Sequence, residues 1–490
     1  MLARGGYMPA DWQRALEEDP TYIETFRQRL NTTGNAVAAE SRSVKEPLAS
    51  YARTIHHRNR AALRDPLQDV FPAAYIPTPE LNEIYELKLG MLEARLLSEK
   101  ELIQRGAYFV SINGKPTYHY HLCTGGGLKL PTDSNIRLQS FLGTHQFKTS
   151  YATHGLFPYR GKYHPQMIKA LMNVMGLHPG STVLDPMAGS GTTAVEAALM
   201  GINAIAIDVS PFCTFMANTK FRALAADISD LKPLLQNAEH LRKIYDKLGE
   251  AATATKVQDA AFQPRGISRT AFEILALAYM DARGYAERSS RKNQCEFFKD
   301  ILAKYLDTIE RFQKAFCELP LTLGSSQVLI GDARELRLES GSIDGVIFSP
   351  PYSFAVDYLA NDAPHLTYLG YNLQAIRPRM IGLNGGQGAG KVEQYFEDMS
   401  CVLGEVARVL KPSRYCVIMV GSNSQQLARI LRIDPASPEA KYSIEQRLIK
   451  LAEEKDLALE LAIRRLIVGM ANSMREEHIL IFCKGERNSA

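Results

Sequence analysis

The sequence predicts an α/β fold built on a parallel sheet, and three observations carry that expectation. From about Thr149 onward, short apolar runs alternate with helical patterns, the texture of strands joined by crossover helices. The first such strand, Thr182-Val183-Leu184-Asp185, runs into a glycine turn and then an alanine-rich helix over Thr192–Met200. About 23 residues after Asp185 the next strand, Ala204–Ile207, ends in a second carboxylate, Asp208.

The elements read in order as follows. The first 65 or so residues are polar and irregular, with a local basic run over Arg53–Arg64 that reads first as a solvated face. Thr78–Gly106 has a helical pattern, with Leu81, Ile84, Tyr85, Leu87, Leu92 and Leu96 set among Glu and Lys. Two strand-like runs, Ala107–Gly114 and Pro116–Leu122, flank the turn signal Asn113-Gly114. Gly125-Gly126-Gly127 marks a loop. Residues 1–150 are therefore expected to form an accessory region of mixed α and β structure. After the first two core strands, residues 218–326 are helical with few strand signals, an insertion that interrupts the sheet in sequence only. The sheet resumes at Gln327–Ile330 and Gly345–Phe348, then at Tyr415–Val420, Ala462–Val468 and His478–Phe482. That makes about seven strands, with 151–217 and 327–490 forming the core. The glycine cluster Asn384–Gly390 reads as a loop.

Composition narrows the function. The chain has 490 residues, 46% hydrophobic and 22% charged, which suits a globular protein with a large core. Lys and Arg number 57 against 53 Asp and Glu, so the net charge of +4 neither implies nor excludes a nucleic-acid partner. No apolar run approaches the roughly 18 residues of a membrane span, and the N-terminus lacks a signal-peptide core. Seven cysteines without a CxxC pair argue against a disulfide scaffold or zinc ribbon, so a reduced, cytoplasmic enzyme is expected. The eleven histidines show no ligand spacing and no metal is expected; His119 and His121 would share one face of a strand.

The strongest local signal is Asp185-Pro186-Met187-Ala188-Gly189-Ser190-Gly191-Thr192-Thr193. Gly189 and Gly191 let the backbone turn sharply and approach a ligand with no Cβ in the way. The helix behind them offers free N–H groups and a positive dipole end. A carboxylate at Asp208 suits the two hydroxyls of a ribose. A nucleoside-bearing cofactor follows. The third glycine of a dinucleotide fingerprint is missing, and no GxxxxGK[ST] loop exists for ATP.

With Ser349-Pro350-Pro351-Tyr352 at the end of the Ile343–Phe348 strand, the chain resembles the amino-methylating DNA methyltransferases, which modify cytosine N4 or adenine N6. Their cofactor loop is close to Asp185–Thr193 and their catalytic motif to Ser349–Tyr352. Thr153–Pro165 looks like the family segment that packs over the methionine end of the cofactor, and Arg475–Phe482 is similar to its closing strand. Glu405–Pro412 resembles a segment widespread among methyltransferases.

The resemblance implies a Rossmann-like core with a seven-stranded, mostly parallel sheet, an antiparallel last strand, and S-adenosyl-L-methionine as cofactor. It implies that Asp185, Pro186, Ala188, Gly189, Gly191, Thr192, Asp208 and Asp332 bind that cofactor, with Tyr159 and Lys162 at its carboxylate or at a DNA phosphate. Asp332 would receive the adenine amine, or serve as a helix N-cap. Ser349, Pro350, Pro351 and Tyr352 would act on a flipped base of double-stranded DNA. Ser349 and the Pro350 carbonyl would accept the amine hydrogens, and Tyr352 would stack on the base. No covalent intermediate is needed, and Cys213 reads as a packing residue.

Serine at 349, where adenine enzymes commonly carry aspartate, favours cytosine N4 over adenine N6. Asp357 and Tyr358 line the base pocket or cap a helix. Two rival functions remain: an RNA methyltransferase acting on guanine N2, and an inactive DNA-binding specificity subunit. Target recognition is expected either in 218–326, where Arg265, Arg269, Arg283, Arg288, Arg291 and Lys292 accompany Tyr279 and Tyr285, or in 1–150. A cognate restriction endonuclease is a candidate partner.

Overall fold

The computed structural model describes residues 75–77, 84–124, 151–159, 162–250, 267–286, 294–351, 357–386, 388–422, 444–466 and 476–486. Several features read from the sequence lie outside these residues: the basic run Arg53–Arg64, the Gly125–Gly127 turn, Arg265, Arg288, Arg291, Lys292 and Tyr352.

A small three-stranded antiparallel sheet comprises β1 (Tyr75–Pro77), β2 (Phe109–Ile112) and β3 (Lys115–Pro116). The main sheet contains β4 (Thr182–Asp185), β5 (Asn203–Asp208), β6 (Ser326–Ile330), β7 (Ile343–Phe348), β8 (Leu410–Ser422), β9 (Leu457–Leu466) and β10 (Glu476–Lys484). Its order is β6-β5-β4-β7-β8-β10-β9. The pairs β4–β5, β5–β6, β4–β7 and β7–β8 are parallel, and β10 runs antiparallel to both β8 and β9. This is the expected mostly parallel, seven-stranded sheet, with the antiparallel strand inserted one place from the edge. The central strands are apolar on both faces: Val346, Ile347 and Phe348 of β7 and Cys416 to Met419 of β8 are fully buried, as parallel strands covered by helices must be. From β4 the chain winds outward through β5 and β6, then returns to place β7 on the other side of β4. The crevice beyond the C-terminal ends of β4 and β7 is thus the switch point where ligands settle in open α/β sheets.

The N-terminal elements belong to this core. The Ile84–Leu96 helix packs on the Pro165–Val174 helix and on β9, and Leu89, Leu92 and Phe109 share one apolar cluster with Val183, Ala204 and Ile479. The buried carboxylate of Glu93 accepts from the Ala107 and Tyr108 amides and from Asn173 Nδ2 at 2.6–3.3 Å, tying this layer together.

Three expectations need correction. The Thr78–Gly106 pattern is two helices, because Ser98 starts a second one (Glu99–Arg105) through a capping box with Glu101. Pro116–Leu122 is not a strand: after β3 the chain forms the Tyr118–Thr124 helix, with Thr117 Oγ1 accepting from the Tyr120 amide. Alternating Tyr and His imitated a strand pattern, but residues two apart on a helix diverge, so His119 and His121 share no face. No cluster of potential metal ligands occurs among the described residues. Finally, the proposed break at 217/218 falls inside the Pro211–Ala223 helix, which Ser210 and Pro211 start.

Beyond Ala223, the insertion is helical as read: Ala238–Glu250, Arg269–Ala286 and Gln294–Cys317 follow a short 3₁₀ turn. Its apolar faces join Phe212 and Met216 of the preceding helix, and Leu359 and Leu366 of the helix after β7, in one cluster. Two of its candidate contact residues are already engaged within the insertion or its neighbours, one by packing and one by an ion pair. Tyr279 is only 4% exposed, against Tyr245 and Tyr368, and Arg269 pairs with Glu273 at 3.0 Å. No helix among the described residues is long and apolar enough to cross a membrane.

Candidate active site

The glycine turn after β4 is held by two carboxylates. Asp185, 1% exposed, accepts from Thr193 Oγ1 at 2.7 Å and from the Met187 amide at 3.1 Å, bracing both shoulders of the loop. Burial pushes its carboxyl up to about 7. Asp208, at the end of β5, accepts from the Gly189 amide through Oδ2 and from the Ser210 amide through Oδ1, each at 2.8 Å. The two glycines have different duties. Gly191 has φ +76°, and a Cβ there would lie 2.5 Å from that of Ala217, so it allows the loop to pack on the Pro211–Ala223 helix. Gly189 has φ +48°, and a Cβ there would meet nothing closer than the Tyr159 ring at 3.8 Å.

The facing wall comes from the end of β7, where Ser349, Pro350 and Pro351 border the same cavity. The Ser349 hydroxyl lies 3.5 Å from the Pro350 carbonyl. Asp357 accepts from the Ala360 amide at 2.9 Å and caps the Tyr358–Leu369 helix, while Tyr358 and Asp362, one turn apart, line the cavity. Tyr159, Lys162 and Tyr163 close it from the segment before the Pro165–Val174 helix, and Asp332, Ala333 and Arg379–Ile381 from the β6 side. Asp332 caps no helix. Arg334 binds both its oxygens, at 3.0 and 2.7 Å, and is itself held by Asp398 at 2.8 Å. Burial pushes the Asp332 carboxyl up, but the Arg334 bonds outweigh it and keep it below the usual carboxylate range.

The covering segment is locked from behind. Glu196, on the Thr192–Leu199 helix, is 0% exposed and bonds Tyr151, His154 Nε2 at 2.6 Å and Lys169 Nζ at 3.4 Å. Burial alone would raise its carboxyl; Lys169 and His154 outweigh that and hold it near 2. The helix that begins at the glycine turn is thereby tied to the residues that lead to Tyr159.

The structure thus gathers Tyr159, Lys162, Pro186, Ala188, Gly189, Asp208, Asp332, Ser349, Pro350 and Pro351 around one cavity. Asp185, Gly191 and Thr192 stand behind its wall and shape the loop; Thr192 Oγ1 lies 3.2 Å from Ser190 Oγ. Cys213 is buried, as a packing residue should be, but it also faces the cavity. Asp362 and Arg379 lie in no recognisable motif of the sequence; Tyr163 lies within the Thr153–Pro165 segment but is not singled out there.

Comparison with known proteins finds methyltransferases. Residues 156–271 match the family described as "RMKL-like, methyltransferase domain". The Type II methyltransferase M.MjaII of Methanocaldococcus jannaschii is 29% identical over 170 residues, 34% of this chain and 31% of that protein. Residues 156–271 belong to a methyltransferase domain. The Type II methyltransferase M.BsoBI of Geobacillus stearothermophilus matches the chain at 22% over 292 residues, 48% of this chain and 56% of its own length. A tRNA (guanine(10)-N2)-dimethyltransferase of Methanothermobacter thermautotrophicus is 28% identical over 86 residues, 18% of this chain and 25% of that one. The chain thus spans about a third to about half of the two Type II relatives. A SAM-dependent methyltransferase structure from Methanosarcina mazei aligns at 13% identity with a TM-score of 0.30, over 63% of this chain and 94% of that one. The resemblance drawn from the sequence to the amino-methylating methyltransferases holds.

The residues around the cavity fit S-adenosylmethionine. The space in front of Gly189 is open, a carboxylate closes β5 beside it, and three acids (Asp208, Asp332, Asp362) face it against Lys162 and Arg379. The Asp208 carboxylate at the end of β5 suits the ribose hydroxyls of that ligand.

Proposed function

We propose that the domain transfers the methyl group of S-adenosylmethionine to the exocyclic amine of a base flipped out of double-stranded DNA, cytosine N4 before adenine N6. One observation carries the reading: the glycine turn after β4 and the Ser-Pro-Pro turn after β7 border the same cavity. The cofactor, when bound, supplies an electrophilic methyl group. Asp208 holds the ribose hydroxyls, Asp332 faces the adenine, and Gly189 leaves room for the backbone of the loop to approach. Tyr159 and Lys162 border the methionine end, and Asp185, Pro186, Ala188, Gly191 and Thr192 keep the loop in shape. Pro350 and Pro351 fix φ, so the Pro350 carbonyl and the Ser349 hydroxyl keep fixed directions toward an amine. Holding the amine hydrogens aims its lone pair at the methyl group, and such alignment supplies much of the rate. Tyr352 is assigned the stacking role on the base.

Serine at 349 supports cytosine. The helical insertion and residues 1–150 are the segments assigned to target recognition, and a restriction endonuclease is the partner such a pairing would have, in a cytoplasmic setting. A second reading, methylation of an RNA guanine amine, draws on the tRNA-modifying relative. The test is transfer of labelled methyl to unmethylated genomic DNA and to total RNA, with nucleoside analysis. N4-methylcytosine in DNA is the expected product. N6-methyladenine would keep the mechanism and overturn the reading of Ser349, and label in RNA alone would overturn the DNA assignment.

A further inference from the structure

The Ser-Pro-Pro turn lacks a carboxylate of its own. Methylating an exocyclic amine leaves one N–H proton to be removed, and a serine hydroxyl is a poor acceptor for it. The cavity does hold carboxylates, and two of the three are already engaged. Both oxygens of Asp208 accept backbone N–H groups, and both oxygens of Asp332 are held by Arg334. Asp362 differs. It is 6% exposed and lines the cavity with Ser349, Pro350 and Tyr358. Its bonds are all at Oδ2, from the Tyr159 hydroxyl at 3.3 Å and the Cys213 thiol at 3.8 Å. Oδ1 has no partner among the described residues, and no cation pairs with this carboxylate there.

We propose that Asp362 is the proton acceptor for the target amine, supplying from the helix after β7 the carboxylate that Ser349 does not provide. The inference rests on the amine-methylation reading above. As the amine nitrogen bonds to the methyl carbon, the carbon–sulfur pair leaves on sulfur, and the surplus N–H proton passes to Oδ1 of Asp362. The products are the methylated base, the neutral thioether and a protonated Asp362, which water then relieves of its proton. The surroundings suit an acceptor that works near neutrality. Burial pushes the Asp362 carboxyl up to about 7; the Tyr159 bond opposes this and Asp208 adds to it. The other titratable or charged groups that border the cavity with it are Cys213 on the helix after β5, Tyr358 on its own helix, and Tyr163, Lys162, Asp332 and Arg379.

The experiment compares wild type, Asp362→Asn and Tyr159→Phe on the same DNA, by single-turnover methyl transfer across pH and by calorimetric binding of S-adenosylmethionine. Wild-type transfer should fall in proportion to proton concentration below about pH 7. Asp362→Asn should keep its cofactor affinity, lose on the order of a hundredfold in rate, and lose the acid limb of the profile. Tyr159→Phe should move that limb to higher pH, because it removes a bond to the ionised form. An acid limb that persists in Asp362→Asn overturns the proposal. So does loss of cofactor binding in that variant, which would give Asp362 to the cofactor's ammonium instead. Absence of transfer by wild type to any nucleic acid overturns the amine-methylation reading itself.

Discussion

Glu196 and Asp362 are both buried acids, one behind the glycine turn and one in front of it. Glu196 meets Lys169, His154 and Tyr151 and stays ionised far into acid. Asp362 meets a hydroxyl and a thiol, and burial raises its carboxyl to about 7. Burial is common to both, so the partners decide. A paired carboxylate is fixed and holds elements together, whereas an unpaired one facing a cavity is free to exchange a proton near neutral pH.

The largest expected effect breaks the first of these regions. Glu196→Ala leaves Lys169 buried without its counter-charge and Tyr151 and His154 without their hydrogen-bond partner, and removing one partner of a buried pair costs about 3–5 kcal/mol. Urea unfolding should show that loss. The pH dependence should follow. The Glu196 carboxyl is lower in the folded protein than its ordinary 4.5, so its contribution is complete above about 4.5 and disappears as pH falls toward 2. Glu196→Gln should therefore lack that part of the acid transition. An unchanged acid transition would show that the cluster does not bind this segment together.

The two glycines separate folding from binding within a single turn. Gly191→Ala meets both a positive φ and Ala217, so about 1–3 kcal/mol of stability should be lost. Gly189→Ala shares the positive-φ strain but meets no such clash, so it should lose less stability than Gly191→Ala while binding S-adenosylmethionine less tightly. Equal loss of stability in the two variants would contradict this division. Asp208→Ala comes next. It removes the acceptor for the Gly189 amide and the carboxylate assigned to the ribose, bonds of a kind worth about 1.5–3 kcal/mol. Calorimetry should show weaker cofactor binding by a comparable amount, with little change in the sheet.

What was legible in the sequence follows from how local each signal is. The strands β4, β5 and β7 are continuous apolar runs, and the turn between β4 and its helix is a contiguous motif, so Asp185, Gly189 and Asp208 could be read directly. β9 was read as Ala462–Val468 but spans Leu457–Leu466, and a bulge opposite Ile481 and Phe482 interrupts the regular pairing of its N-terminal half. Tyr118–Thr124 misled because its tyrosines favour strands and alternate with histidines, until a cap at Thr117 starts a helix. The insertion boundary was missed because the Pro211–Ala223 helix continues across it without a breaker. Asp362 could not have been found locally. Its meaning comes from Tyr159, 203 positions earlier, and from Cys213, 149 positions earlier, which only the folded sheet brings together.

The smallest expected effect refines the comparison from the Asp362 side. Cys213 places its thiol 3.8 Å from Asp362 and 3.3 Å from the Tyr159 hydroxyl. Burial drives that thiol well above its ordinary range, so it stays protonated and serves as a weak donor to the carboxylate. Cys213→Ala removes the weaker of two donors and leaves Tyr159 in place. The acid limb of methyl transfer should move slightly upward in pH, by less than in Tyr159→Phe, with cofactor affinity retained. The order of the two shifts is the informative quantity. If Cys213→Ala moved the limb further than Tyr159→Phe, the thiol rather than the phenol would set the ionisation of Asp362, and the argument that hydrogen-bond strength ranks these partners would fail.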